Sequence, residues 1–208
     1  MQFKTNKSLY DLISALAGTS DFTSSERAFL LSMANRRFYE AYQATDIWPR
    51  YITVGEQRAI SSSVVPYTEG ALDEIANFIR IHRLEPFLRN STIEFDYWVD
   101  GDGAHVENLV TTDATSVYVT YKKTLTELTT LDYDGELGTQ LVPIEFFYFI
   151  AHATYADFLR MDGQTQKAML ESEVAKTYLD TELEKAETVM NINALKTRIN
   201  THLNRQSR

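Results

Sequence analysis

The sequence predicts an α+β fold, in which helices from the first and last thirds of the chain form a bundle and a β-rich region is inserted between them. Apolar residues recur at helical spacing up to residue 49 and again after residue 143, and they alternate in short runs between these regions. Because strands and helices are segregated rather than alternating, we expect an antiparallel sheet or meander. The predicted parts are a helical bundle (1–49 and 143–190), an inserted β-rich region (50–142) and a basic C-terminal tail (191–208).

The first third predicts two helices. Apolar residues at helical spacing place a short amphipathic helix over residues 8–17, and Gly18 ends it. Thr23 and Glu26 have the spacing of a capping box, so a second helix begins there and continues to about residue 45. Trp48-Pro49 ends this helix, because a residue before proline avoids the helical conformation.

The middle region predicts four to six short strands. A helical turn over residues 70–77 is expected to lead into the third strand, and residues 84–87 form a turn. Asp100-Gly101-Asp102-Gly103 is a tight reversal between two strands. The expected strands cover residues 51–54, 64–67, 78–83, 92–99, 105–110 and 117–121.

The last third predicts two more helices. The first begins at Pro143, continues to Met161 and is apolar on nearly every side, which is typical of a central core helix. Asp162-Gly163 breaks the chain, and a long acidic helix extends from Gln164 to about Met190. The most apolar stretch, residues 144–156, is too short to cross a bilayer, so we expect no contact with a membrane.

The residues that could carry chemistry form no recognisable catalytic or metal-binding pattern. The chain has no cysteine, which excludes disulfides, thiolate metal sites and a cysteine nucleophile. Asp100, Asp102 and Glu107 lack the third acid and the spacing of a calcium loop, so they indicate a hairpin tip. His152, on the apolar helix, is interpreted as a core or interface histidine. We predict no catalytic residue, no metal and no cofactor.

Charge is distributed unevenly along the chain. The net charge is −9, yet residues 1–8 and 191–208 contain six basic residues and no acid. The remaining 14 basic and 29 acidic residues give residues 9–190 a net charge of −15. This negative net charge over residues 9–190 argues against general nucleic-acid binding, which depends on basic residues that neutralise phosphates.

Two basic segments are candidate partner contacts. Arg36-Arg37 lies on a helix ahead of Glu40, where ion pairing on the surface is the simpler interpretation. The tail has the pattern of a helix with too little apolar area to be stable alone, so it is either a frayed end or a segment that becomes ordered on a partner.

Several segments, in this order, resemble the head-to-tail adaptor (connector) proteins of tailed bacteriophages over about residues 22–190. They begin with the long first-third helix, which carries Asn35, Tyr39 and Tyr42 and ends at Trp48-Pro49. The strand at residues 117–121 follows. The remaining segments are residues 143–159 with Ala151, Ala153 and Ala156, then Arg160-Met161-Asp162-Gly163-Gln164, and the acidic helix to Glu187.

The resemblance implies a structural virion protein at the neck, assembled in the host cytoplasm. It implies a homo-oligomeric ring of about twelve subunits that binds the portal on one side and a tail or stopper protein on the other. DNA would pass through the ring without specific binding. No catalytic residues are implied. The alternatives are another neck or tail-completion (stopper) protein and a small-molecule enzyme of unknown class.

Two sets of residues follow as hypotheses for this role. An acidic channel wall would repel DNA, and the long acidic helix is the expected source of that wall. The channel-facing candidates are Glu171, Glu173, Asp180, Glu184 and Glu187. The portal-binding candidates are Ile192, Leu195, Lys196, Arg198, Ile199, Leu203, Arg205 and Arg208.

Overall fold

A computed structural model of the chain describes residues 3–19, 21–82, 94–107, 115–129, 131 and 140–206, with side chains described as far as Val189. The turn expected at residues 84–87 and parts of the strands expected at 92–99 and 105–110 lie outside the described residues.

Helices and antiparallel strands confirm the α+β class. The helices are α1 (Asn6–Ala17), α2 (Ser24–Gln43), α3 (Ile144–Met161) and α4 (Thr165–Gln206). The strands are β1 (Phe3–Thr5), β2 (Ile52–Ala59), β3 (Val64–Pro66), β4 (Ile75–His82), β5 (Tyr97–Val99), β6 (Gly103–Val106), β7 (Ser116–Lys123) and β8 (Leu141–Pro143). The chain divides into two compact units, one of residues 1–46 and 126–191 and one of residues 47–125 and 192–208.

The first unit is built on helices whose ends are fixed by local sequence. Gly18 ends α1 in the left-handed conformation, with φ of 69°. The predicted capping box at the start of α2 is confirmed: Thr23 Oγ1 accepts from the Glu26 amide, and Glu26 accepts from the Thr23 amide at 2.8 Å. The Thr23 hydroxyl also donates to the Glu26 carboxylate at 2.7 Å, and this hydrogen bond, together with the one from the Thr23 amide, lowers the pKa of the Glu26 carboxyl. Both caps satisfy backbone groups that a helix end leaves without a partner.

The core of the first unit lies around α3. The side chains of Leu9, Leu30, Phe38, Phe146 and Ile150 are buried. Phe38 of α2 meets Phe146 of α3 edge-to-face, with 5.7 Å between ring centroids. The prediction that this helix occupies the core is therefore confirmed.

A small two-stranded sheet, which the sequence did not indicate, joins the beginning of the chain to the beginning of α3. Strand β1 pairs antiparallel with β8, with Phe3 opposite Pro143 and Thr5 opposite Leu141. Pro143 therefore ends a strand and caps α3, rather than occupying the first turn of the helix as predicted.

The second unit contains two three-stranded antiparallel sheets, ordered β2-β7-β4 and β3-β6-β5. Buried apolar residues of both sheets form one cluster, which includes Val65, Phe78, Val106 and Val119. The helical turn expected over residues 70–77 is wrong: Gly70 adopts a left-handed conformation in a tight turn closed by the Leu72 amide and the Glu69 carbonyl, at 3.0 Å, and β4 begins at Ile75. The reversal at residues 100–103 and the strand at 117–121 are confirmed.

Helix α4 is longer than predicted, because its backbone remains helical to Gln206 instead of ending near Met190. No glycine or proline interrupts this stretch, and apolar residues keep a three- to four-residue spacing through it. Among the described helices, none is long and apolar enough to cross a membrane.

Candidate interaction surface

Helix α4 presents different chemistry on different sides. Ala168, Ala175, Leu179 and Ala186 are buried and mark the side that packs inward. Four acidic side chains lie on other positions of the helix and are exposed. We call this set the acidic face, and its members are Glu173, Asp180, Glu184 and Glu187.

Glu171, the fifth residue expected on that surface, lies elsewhere. Its carboxylate is 2.8 Å from His152 Nδ1 of α3, and its side chain is 26% exposed. Helical spacing explains this position, because Glu171 is three residues from Ala168 and four from Ala175, both buried. Glu171 therefore belongs to the contact between α3 and α4.

His152 has the role expected of an interface histidine. Besides its contact with Glu171, its ring stacks on Tyr178 of α4, with 5.3 Å between centroids. Tyr178 also stacks on Tyr148 of α3 at 5.3 Å. Aromatic and polar contacts therefore hold the first half of α4 against α3.

A shallow groove of about 530 Å³ lies beside this stack. Tyr148, Val174 and Tyr178 line it with apolar and aromatic surface, and each of these side chains is about 40% exposed. Glu182 and Lys185, which form an ion pair at 2.5 Å, lie at its other end.

The side chain of Arg37 is largely buried in the first unit. Its guanidinium donates two hydrogen bonds to Asp157 of α3, at 2.6 and 2.8 Å, and a third to Glu40 at 2.6 Å. The hydrogen bonds to Asp157 raise the pKa of Arg37 above its usual value. Asp157 also accepts from Arg160 at 2.6 Å. The ion pair with Glu40 agrees with the sequence interpretation, but Arg37 is largely buried instead of lying on the surface as expected.

The hairpin tip at residues 100–103 has the arrangement predicted from its sequence. Asp100 Oδ1 accepts hydrogen bonds from the amides of Asp102 and Gly103, at 2.9 and 3.3 Å. The amide of Asp102 is the main cause of the lowered pKa of Asp100. The Asp100 side chain is therefore used to form the turn, and its other oxygen lies 2.9 Å from His105 Nε2.

A buried polar cluster in the second unit was not found from the sequence. Arg58 is fully buried, and its guanidinium donates to the Tyr121 hydroxyl at 2.6 Å and to the Asp73 carbonyl at 2.5 Å. Its charge is paired with Glu56 at 2.7 Å. The cluster ties β2 to β7 and to the segment that precedes β4. An arginine within an alternating strand gives no signal that its charge is buried.

The tail candidates share one structural fact, which is that their helical backbone belongs to α4 as far as Gln206. Their side chains, and residues 207–208, lie outside the described part of the chain. Their role at the portal stays a prediction. Within the described ranges, no three histidine or acidic side chains are grouped closely enough to hold a metal ion.

Comparison of the chain with protein-family models and with curated proteins finds no match.

Proposed function

We propose that this chain is a head-to-tail adaptor of a tailed bacteriophage: a structural protein that forms a ring below the portal, joins capsid to tail and lets DNA pass. The acidic face of α4 is the observation that carries this proposal. DNA must slide through such a ring, and exposed carboxylates repel phosphates at the distances that salt leaves unscreened. The net charge of −15 over residues 9–190 has the same effect.

The positions of the residues that carry the family resemblance support the proposal. Ala151, Ala153 and Ala156 are buried on α3, where small side chains let neighbouring helices approach. Asn35 of α2 donates to the Leu128 carbonyl and accepts from the Leu128 amide, both at 2.8 Å. All of these residues make contacts within the first unit, so segments that carry the family resemblance contribute to its packing.

In this proposal the acidic face lines the channel and the C-terminal tail binds the portal. The tail has no acid, and its four basic residues would direct it to an acidic or carbonyl-lined groove. Its apolar residues would supply most of the affinity, because exposed ion pairs contribute only about 0–1 kcal/mol each. We also propose that the chain has no enzymatic activity.

Electron microscopy of the purified full-length protein, alone and mixed with purified portal, tests the ring. We expect annular particles with a central channel and about twelve-fold symmetry. Six-fold rings would instead support a stopper protein. Particles without a channel, in the presence of portal, would refute both neck assignments.

Charge reversal in the full-length chain tests the tail. Lys196→Glu with Arg198→Glu should weaken docking on portal at least tenfold and leave ring formation unchanged. The matched control is Lys167→Glu with Lys176→Glu, which reverses two exposed lysines of the same helix. Equal docking by both variants would place the portal contact elsewhere.

A further inference from the structure

Trp98 forms an exposed aromatic stack on the hairpin of β5 and β6. It lies opposite His105 in the strand register, with 3.8 Å between the ring centroids and 6° between the ring planes. The Trp98 side chain is nevertheless 50% exposed, whereas its neighbour Tyr97 packs against the buried cluster on the other face of the sheet. An indole held in one orientation, with half of its surface in water, is suited to anchor a contact with another protein.

The open face of this indole lies at a sheet edge. Strand β5 is the outer strand of the β3-β6-β5 sheet, and among the described strands of that sheet it pairs with β6 alone. Because His105 of β6 covers one face of the Trp98 ring, the other face is turned away from β6, towards the outer side of β5. The ring face of tryptophan attracts cations more strongly than that of tyrosine or phenylalanine. A cation that approaches this edge therefore meets the ring face directly.

Carboxylates flank the stack on the same face of the hairpin. Side chains alternate along a strand, so Asp96 and Asp100, each two residues from Trp98, share its face. The Glu107 amide donates to the Asp96 carbonyl at 2.8 Å, which sets these two residues opposite each other across the hairpin. The side chains of Asp96 and Glu107 are both exposed. Like charges directly opposite each other destabilise an antiparallel pair, and a bound cation would offset that repulsion.

We propose that this face of the hairpin binds an arginine side chain in a basic segment of a partner protein. The guanidinium would stack on the outer face of Trp98 and pair with the Asp96 carboxylate. Arginine fits both contacts because its guanidinium is planar, stacks on aromatic rings and pairs with carboxylates in a fixed geometry. Charge complementarity selects this occupant, since the same carboxylates would repel the phosphates of a nucleic acid. The inference concerns the second unit alone and does not rest on the adaptor proposal.

Peptide binding to the full-length protein tests the site. The probe is a fluorescein-labelled peptide of alternating arginine and glycine, and binding is followed by fluorescence anisotropy. We expect saturable binding with a Kd in the high-micromolar range. Lysine in place of arginine should weaken binding, and glutamine should abolish it. The absence of saturable binding by the arginine peptide would overturn the proposal.

The contribution of the indole is measured by Trp98→Ala, which should raise the Kd about tenfold. Val99→Ala is the matched control, because Val99 is 47% exposed on the same strand but belongs to the opposite face of the sheet. The control should change the Kd less than about twofold. Equal effects of the two variants would overturn the proposed stacking.

The contribution of the carboxylates is measured by Asp96→Asn with Glu107→Gln, which should also raise the Kd about tenfold. Asp11→Asn with Glu74→Gln is the matched control, since it removes two exposed carboxylates elsewhere in the chain. An equal loss in both double variants would mean that the acidic protein attracts any basic peptide, and it would overturn the site.

Tryptophan fluorescence locates the contact independently of affinity. The chain has two tryptophans, of which Trp48 is 2% exposed and Trp98 is half exposed. Saturating peptide should protect the wild type from quenching by acrylamide, and Trp98→Phe, which keeps an aromatic ring on His105, should lose this protection. Unchanged quenching on binding would place the contact elsewhere and overturn the proposal. A labelled single-stranded oligonucleotide that binds more tightly than the peptide, and loses affinity in Trp98→Ala, would assign the indole to base stacking and overturn it as well.

Discussion

Replacing Asp157 by alanine should strongly destabilise the first unit. The Asp157 side chain is 9% exposed and receives two hydrogen bonds from Arg37, whose side chain is 16% exposed. Removing the carboxylate leaves a largely buried guanidinium with Glu40 as its remaining acidic partner among the described contacts. It also removes one of the two side-chain acceptors of Arg160, the other being the Ser172 hydroxyl.

The expected loss follows from the burial of this pair. Breaking a buried ion pair by removing one partner costs about 3–5 kcal/mol, because the other charge stays desolvated. Since Arg37 keeps Glu40, we expect the lower end, about 3 kcal/mol. In a protein of this length 1 kcal/mol shifts the melting temperature by about 2–4 °C, so the shift should be about 6–12 °C.

Thermal and urea unfolding, followed by circular dichroism at 222 nm, measure this change because the first unit is helical. Lys185→Ala is the internal control in the same unit: it breaks the Lys185–Glu182 pair of α4, at 2.5 Å, in which Lys185 is 64% exposed, and should change stability by no more than about 1 kcal/mol. A loss below about 1 kcal/mol for Asp157→Ala would refute the reasoning.

Three further predictions concern the acidic face, one glycine and one histidine. Replacing all four residues of the acidic face by lysine changes the net charge from −9 to −1 and should create DNA binding that weakens steeply with salt in a filter or gel assay, absent in wild type. Gly103→Ala should destabilise the second unit by about 2 kcal/mol or more in urea unfolding, because φ of Gly103 is +144° and the new Cβ would lie 2.1 Å from the Val65 carbonyl oxygen. The control, Gly101→Ala, should be tolerated because nothing lies within 4 Å of the added Cβ. Burial lowers the pKa of His82 below 6.5, so the folded state binds fewer protons than the unfolded state. The free energy of unfolding should therefore fall as the pH drops through 6.5 towards the pKa of His82 in the folded state. His82→Gln should reduce this slope when unfolding is measured over a range of pH.

The elements with strong local signals could be predicted from sequence. The first three helices, the capping box of α2 and the hairpin at residues 100–103 depend on residues a few positions apart. The β1–β8 pair could not, because it joins two three-residue strands about 140 residues apart in the chain. Such strands have too few residues for periodicity to distinguish them from loops.

The candidate surface was predictable in part. Helical spacing placed four acids on exposed positions of α4, and the same spacing, applied to Ala168 and Ala175, would have placed Glu171 against α3. The pairing of Arg37 with Asp157 was beyond reach, because the partners are 120 residues apart and their contact depends on how α2 packs on α3.

Both the pairing of β1 with β8 and the packing of α1 and α2 on α3 delay the folding of the first unit during synthesis. All strands of the second unit lie within residues 52–123, so its two sheets can form as soon as that stretch leaves the ribosome. In the first unit, α1 and α2 must await α3, which is complete only at Met161. At about 5–20 residues per second, the interval from the end of α2 is roughly 6–24 s. Throughout this interval the apolar sides of α1 and α2 lack the α3 surface that covers them in the folded first unit, so they are exposed to association with other apolar surfaces.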